Sequence, residues 1–84
     1  MVTIKFVTDS AVKRVSFEDE DALTFAVLLQ HAASGADGAV SLRYQDEDGD
    51  IVDIANEADL AEAIRFVRAS GKDTLRIRVA GAFP

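Results

Sequence analysis

The sequence predicts an α+β domain in which two helices pack on a mixed sheet, in the order ββαββαβ. Three observations predict it. Five short segments alternate apolar and polar residues with the period of two that a half-buried strand requires. Two longer segments repeat apolar residues three and four positions apart, the stripe of an amphipathic helix. Turn-forming residues separate the segments, and 84 residues fit a single domain.

The first strand is read from Val2, Ile4 and Phe6, which alternate with Thr3 and Lys5. Thr8-Asp9-Ser10 turns the chain into a second strand, where Val15 and Phe17 point one way and Arg14 and Ser16 the other. After the acidic loop Glu18 to Asp21, Thr24 is placed to cap a helix whose stripe is Phe25, Leu28, Leu29 and Ala32. Gly35 suits the left-handed position beyond it. Asp37-Gly38 leads into a third strand with Val40, Leu42 and Tyr44 on one face. Asp48-Gly49 marks a hairpin, and Val52 and Ile54 carry the fourth strand. Asn56 caps a second helix with the stripe Leu60, Ala63, Ile64 and Val67, ended by Ser70-Gly71. The fifth strand turns Leu75, Ile77 and Val79 inward and Arg76 and Arg78 outward. This order fits a ubiquitin-like β-grasp over residues 1–80, with 81–84 as a short tail. That tail lacks a terminal Gly-Gly, which argues against a conjugated modifier.

Composition narrows the function classes. Without cysteine there is neither a disulfide framework nor a cysteine zinc site, in keeping with a cytoplasmic domain. No apolar run approaches the roughly 20 residues that span a bilayer, and no basic-then-apolar leader is seen, so no membrane association is expected. A formal net charge of −6 argues against nucleic acid as the main partner. One histidine, and no nucleophile–base pair or phosphate loop, leaves little for catalysis. We therefore expect no enzyme activity, catalytic residue, cofactor or metal. His31 follows the polar side of its helix stripe and is expected to be solvated.

Charge distribution is the main clue. Eight of the fifteen acids fall between Asp46 and Glu62, and no Lys or Arg lies between Arg43 and Arg65. Residues 1–17 instead hold Lys5, Lys13 and Arg14 against the single acid Asp9. Helix-dipole compensation accounts for Glu57 and Asp59 in a first helical turn. It does not account for Asp46, Glu47, Asp48 and Asp50 packed within five residues, where like charges repel. A calcium loop is one alternative, because Asp46, Asp48, Asp50 and Glu57 occupy relative positions 1, 3, 5 and 12 of an EF-hand. Against it, the sixth position is Ile51 rather than glycine, and a strand precedes the loop where an EF-hand needs a helix. The remaining reading is a docking surface for lysine and arginine.

The run Tyr44 to Leu60 resembles the acidic signature of the Phox-and-Bem (PB-one) interaction domains: an aromatic residue, Asp-Glu-Asp-Gly-Asp, two apolar strand positions, then acids before a leucine at a helix start. The resemblance extends over essentially the whole chain. It implies an acidic face of Asp46, Glu47, Asp48, Asp50, Glu57 and Asp59. It also implies a basic face: Lys5 in the first strand, with Lys13 and Arg14 in the second. Lys5 and Arg14 oppose the parity of the apolar positions, whereas Lys13 shares the buried parity and is expected at a strand end or beside a bulge. Read alone, Lys5 is more readily a solvated lysine guarding an edge strand; beside Arg14 and a separate acidic cluster, the docking reading is preferred. A member with both faces is of the mixed type, which binds itself head to tail and pairs with other domains of the family. Sequestosome-type selective-autophagy receptors and signalling scaffolds contain such domains. The alternative is a heterodimerising module that uses only its acidic face.

Overall fold

The computed structural model describes residues 1–81. Strands β1 (Val2–Val7) and β2 (Val12–Phe17) form an antiparallel hairpin closed at the Thr8–Ala11 turn, where the Thr8 N–H donates to the Ala11 carbonyl at 2.9 Å. Glu20–Ala22 makes one 3-10 turn. Helix α1 (Phe25–Ala32) starts where the Thr24 hydroxyl accepts the Val27 N–H at 3.2 Å, the cap expected from its sequence. A second hairpin pairs β3 (Ser41–Gln45) with β4 (Ile51–Asp53). Helix α2 (Glu57–Ala69) is capped by Asn56, and β5 (Thr74–Ala80) closes the fold.

The sheet order is β2-β1-β5-β3-β4. The first and last strands of the chain are therefore parallel neighbours in the interior of the sheet, flanked by two antiparallel hairpins. Five strands and two helices in the order ββαββαβ make the expected ubiquitin-like β-grasp.

Period-two patterning places the core. Ile4, Leu28, Leu75 and Ile77 are the largest fully buried side chains, joined by Leu60, Ala63 and Val67 of α2 in one apolar cluster. Thr3, of opposite parity, is also buried, and its hydroxyl shares a 3.0 Å hydrogen bond with Ser16. Residue 81 packs against the third-strand entry: a Cβ built on Gly81 would meet Val40 Cγ1 at 2.7 Å. The rest of the expected tail, 82–84, lies outside the described residues. No helix among the described residues is long and apolar enough to cross a membrane.

Leu28 joins α1 to the sheet and is 0% exposed. Leu28→Ala should lower unfolding free energy by about 2–5 kcal/mol. The exposed Val12→Ala should stay within about 0.5 kcal/mol of the parent. Urea denaturation followed by circular dichroism distinguishes the two.

Candidate functional site

The strand register assembles a row of cations. Lys5 is paired across the β1–β2 ladder with Arg14 and across the β1–β5 ladder with Arg76. Cross-strand partners project to the same side, so the three stand abreast on the face opposite the helices, one strand spacing of about 4.8 Å apart. Like charges directly opposite each other destabilise a sheet. Here two such juxtapositions occur in succession.

Further along the same face, Arg78 and Arg43 are also register partners, yet each has its own carboxylate. Arg78 pairs with Asp9 at 2.6 Å and Arg43 with Asp53 at 2.8 Å. Arg65 pairs with Glu62 and Arg68 with Glu20. Thus four of the nine cations are matched, and among the described residues Lys5, Lys13, Arg14, Lys72 and Arg76 have no ion pair.

The register changes the reading of two of these cations. β1 lies between β2 and β5, so Lys5 does not guard an edge. Lys13 opposes Phe6 in unbroken register, with no bulge beside it, and stays exposed because β2 is the edge strand. Lys13 and Arg14 therefore leave that edge on opposite sides. Arg76 is the cation that sequence reading could not rank. Its outward parity was legible, but its position beside Lys5 depends on the parallel pairing of two strands nearly seventy residues apart.

The acids divide by the work they do. Asp46 builds its own turn: one carboxylate oxygen accepts the Asp48 N–H at 3.0 Å and the Asp50 N–H at 2.9 Å. The Asp46 N–H donates to the Asp50 carbonyl at 3.0 Å, and Gly49 takes the left-handed conformation, φ 82°, that closes the turn. Asn56 caps α2, and Asp59 ties down the residue before that cap. Asn56 Oδ1 accepts the Asp59 N–H at 2.9 Å, while Asp59 Oδ2 accepts the Ala55 N–H at 2.9 Å. Glu57 reaches across to accept the Phe25 N–H at the start of α1. Glu47, Asp48 and Asp50 have no hydrogen-bond or ion-pair partner for their carboxylates among the described residues. They are exposed at the β3–β4 turn.

The carboxylates of Asp46, Asp48 and Asp50 come within 4.8 Å of one another. The remainder of a calcium loop does not form around them. A strand precedes the turn, and Glu57, the would-be twelfth ligand, is held by the first turn of α1. The unmatched acids cluster near β4, at the edge of the sheet opposite β2. Four strand spacings of about 4.8 Å separate those edges, about 19 Å.

Two aromatic neighbourhoods complete the description. His31 is half-buried rather than solvated, with its ring 6.4 Å from Phe6 and 5.8 Å from Phe17. Tyr44 packs on Phe66 with ring centroids 5.6 Å apart. Burial first, and then the negative charges of Asp46, Glu62, Glu47 and Asp59, push the Tyr44 hydroxyl above its ordinary pKa.

The PB1 domain family matches residues 1–82. The CBS domain-containing protein CBSCBSPB2 of Arabidopsis thaliana is 39% identical over 64 residues. That match covers 76% of this chain and 11% of the relative, so the chain spans about a tenth of the relative's length. Two solved structures are similar. The AtNBR1-PB1 domain has a TM-score of 0.69 at 22% identity, and a cryo-EM structure of an AtNBR1-PB1 filament (L-type) has 0.66 at 27%. Each comparison covers 96% of this chain and 97% of the other.

Tyr44 is the single tyrosine, which makes it a direct probe of the acidic field. Its absorbance titration should have a midpoint above about 10, and Glu47→Gln should move that midpoint down by removing one of the charges that raise it. A hydroxyl whose pKa is raised by folding contributes stability below its unfolded pKa. That contribution is lost as pH rises through the folded pKa, so Tyr44 ionisation should accompany alkaline unfolding.

Proposed function

The chain belongs to the PB1 domain family, a protein-interaction module, and from that membership we propose that it docks head to tail onto copies of itself. The unmatched carboxylates of Glu47, Asp48 and Asp50, with Asp46, Glu57 and Asp59 beside them, meet Lys5, Lys13 and Arg14 of the next copy. Arg76 extends the basic surface. The observation that carries this reading is the segregation of unmatched charge. Three adjacent cations stand without counter-ions near one edge of the sheet, and three carboxylates stand without them near the other. Each set repels itself in the isolated domain, and each is relieved by the other.

Such a contact is heterologous. It generates a ring if the rotation closes and a filament if it does not. The filament formed by the similar AtNBR1-PB1 domain supports the open form. Assembly gives the parent protein multivalency, which raises avidity without any new contact. This suits a selective-autophagy receptor or a signalling scaffold in the cytoplasm. The domain acts by binding and carries no catalytic function.

Charge reversal tests the assignment. Lys5→Glu should weaken self-association by about 2–5 kcal/mol, because it leaves the facing carboxylates desolvated beside a like charge. Asp48→Arg should do the same from the other surface, with thermal unfolding unchanged in both. Mixing the two variants should restore a dimer and nothing larger, since each retains one intact surface. A mixture that stays monomeric contradicts the two-surface arrangement. Full assembly by Lys5→Glu contradicts the place given to Lys5 in the basic surface, and a parent chain that never self-associates means that only the acidic surface is used, toward the basic domain of a different protein.

A further inference from the structure

A cavity of about 570 Å3 opens where β3 and β5 part company. The antiparallel ladder between them runs from Ser41 opposite Ala80 to Arg43 opposite Arg78, and stops. The same register would set Gln45 against Arg76, but the β3–β5 ladder ends before that pair, and Gln45 keeps a partner only on its other side, Ile51 of β4.

The phase of β5 tells what that interruption exposes. The Thr3 N–H donates to the Asp73 carbonyl at 2.8 Å, so Asp73, Leu75 and Ile77 turn their main-chain groups toward β1. Alternate residues face the other neighbour. Arg78 finds its partner in β3, but the ladder offers none to the main-chain N–H and C=O of Thr74 and Arg76. Both residues line the cavity. An unpaired stretch of strand is a template for another chain.

The walls define the chemistry of that chain. Arg43, Lys72, Arg76 and Arg78 line the cavity and no carboxylate does. Arg43 and Arg78 are matched by Asp53 and Asp9, whereas Lys72 and Arg76 have no ion pair among the described residues. The Tyr44–Phe66 ring pair supplies an apolar floor. Open main-chain groups, two unmatched cations and an aromatic floor together fit a peptide better than a free anion, which would leave the strand edge unused.

We propose that this cavity binds an extended acidic peptide of another protein, laid along β5 as an added strand. Its main chain pairs with Thr74 and Arg76, its carboxylates meet Lys72 and Arg76, and one apolar side chain rests on Tyr44 and Phe66. Main-chain pairing supplies affinity and the alternate side chains supply selectivity, as in other cases of strand addition. Arg76 is shared with the cationic row, but Lys72 belongs to the cavity alone. Lys72 is therefore the residue that separates this site from head-to-tail docking.

The test uses the whole chain and a fluorescein-labelled hexapeptide of alternating leucine and aspartate, read by anisotropy. Lys72→Glu and Arg68→Glu alter net charge equally, so their difference reports position rather than charge. Lys72→Glu should weaken binding about tenfold, and Arg68→Glu, which lies outside both the cavity and the docking surfaces, should leave it unchanged within about twofold. A peptide N-methylated at alternate residues, unable to donate to β5, should lose binding altogether. Absence of binding to the parent chain overturns the proposal. So does equal weakening by Arg68→Glu and Lys72→Glu, or indifference to N-methylation.

Discussion

The parallel ladder between β1 and β5 joins the two ends of the sequence, and the remaining architecture is arranged around it. On its inner side it sets Ile4 and Phe6 against Leu75 and Ile77, the floor on which both helices pack. On its outer side the same register sets Lys5 against Arg76. The two consequences are inseparable, because a one-residue slip would send every apolar side chain to the solvent face. The register that builds the core therefore also fixes the backbone positions of the cationic row, and repulsion within it cannot relax by a shift of strands.

The acidic half is built on the same economy of parts. Asp46 shapes the turn that presents its neighbours, and Glu57 and Asp59 secure the starts of the two helices. What remains at the tip, Glu47, Asp48 and Asp50, has no structural task that the folded chain reveals. Exposed ion pairs contribute little to stability, typically under about 1 kcal/mol. Matching these groups within one copy would thus add little, whereas leaving them unmatched makes them available to a partner. In the proposed docking, an acidic surface at one edge and a cationic one at the other would set both orientation and register between copies.

Much of this was legible in the sequence because the relevant signals are local. Alternation and helical stripes located the strands and helices, and Thr24 and Asn56 announced their caps. The parity of Lys5, Arg14, Arg76 and Arg78 followed from alternation alone. Contacts between distant segments were not legible. Adjacency of Lys5 and Arg76 requires the parallel pairing, and the ion pairs of Arg78 with Asp9 and Arg68 with Glu20 require the closed fold. Lys13, expected at a strand end or beside a bulge, lies one residue from the start of β2 with no bulge beside it, and the edge position leaves an inward-parity lysine room to reach water. His31 was placed in solvent from its position beside the α1 stripe, but Phe6 and Phe17 of the neighbouring hairpin cover its ring. Glu57 and Asp59 read as helix-dipole acids; their hydrogen bonds to Phe25 and Ala55 depend on where α1 and the preceding loop come to rest.

The central claim is that two separated charged surfaces drive one chain onto the next. It is tested most directly by light-scattering mass of the unmodified chain over a concentration series, at about 0.15 M and about 1 M salt, where the screening length falls from about 8 Å to about 3 Å. The account predicts mass that climbs with concentration at the lower salt and collapses toward a single copy at the higher. A mass of one copy at every concentration and both salts would contradict it.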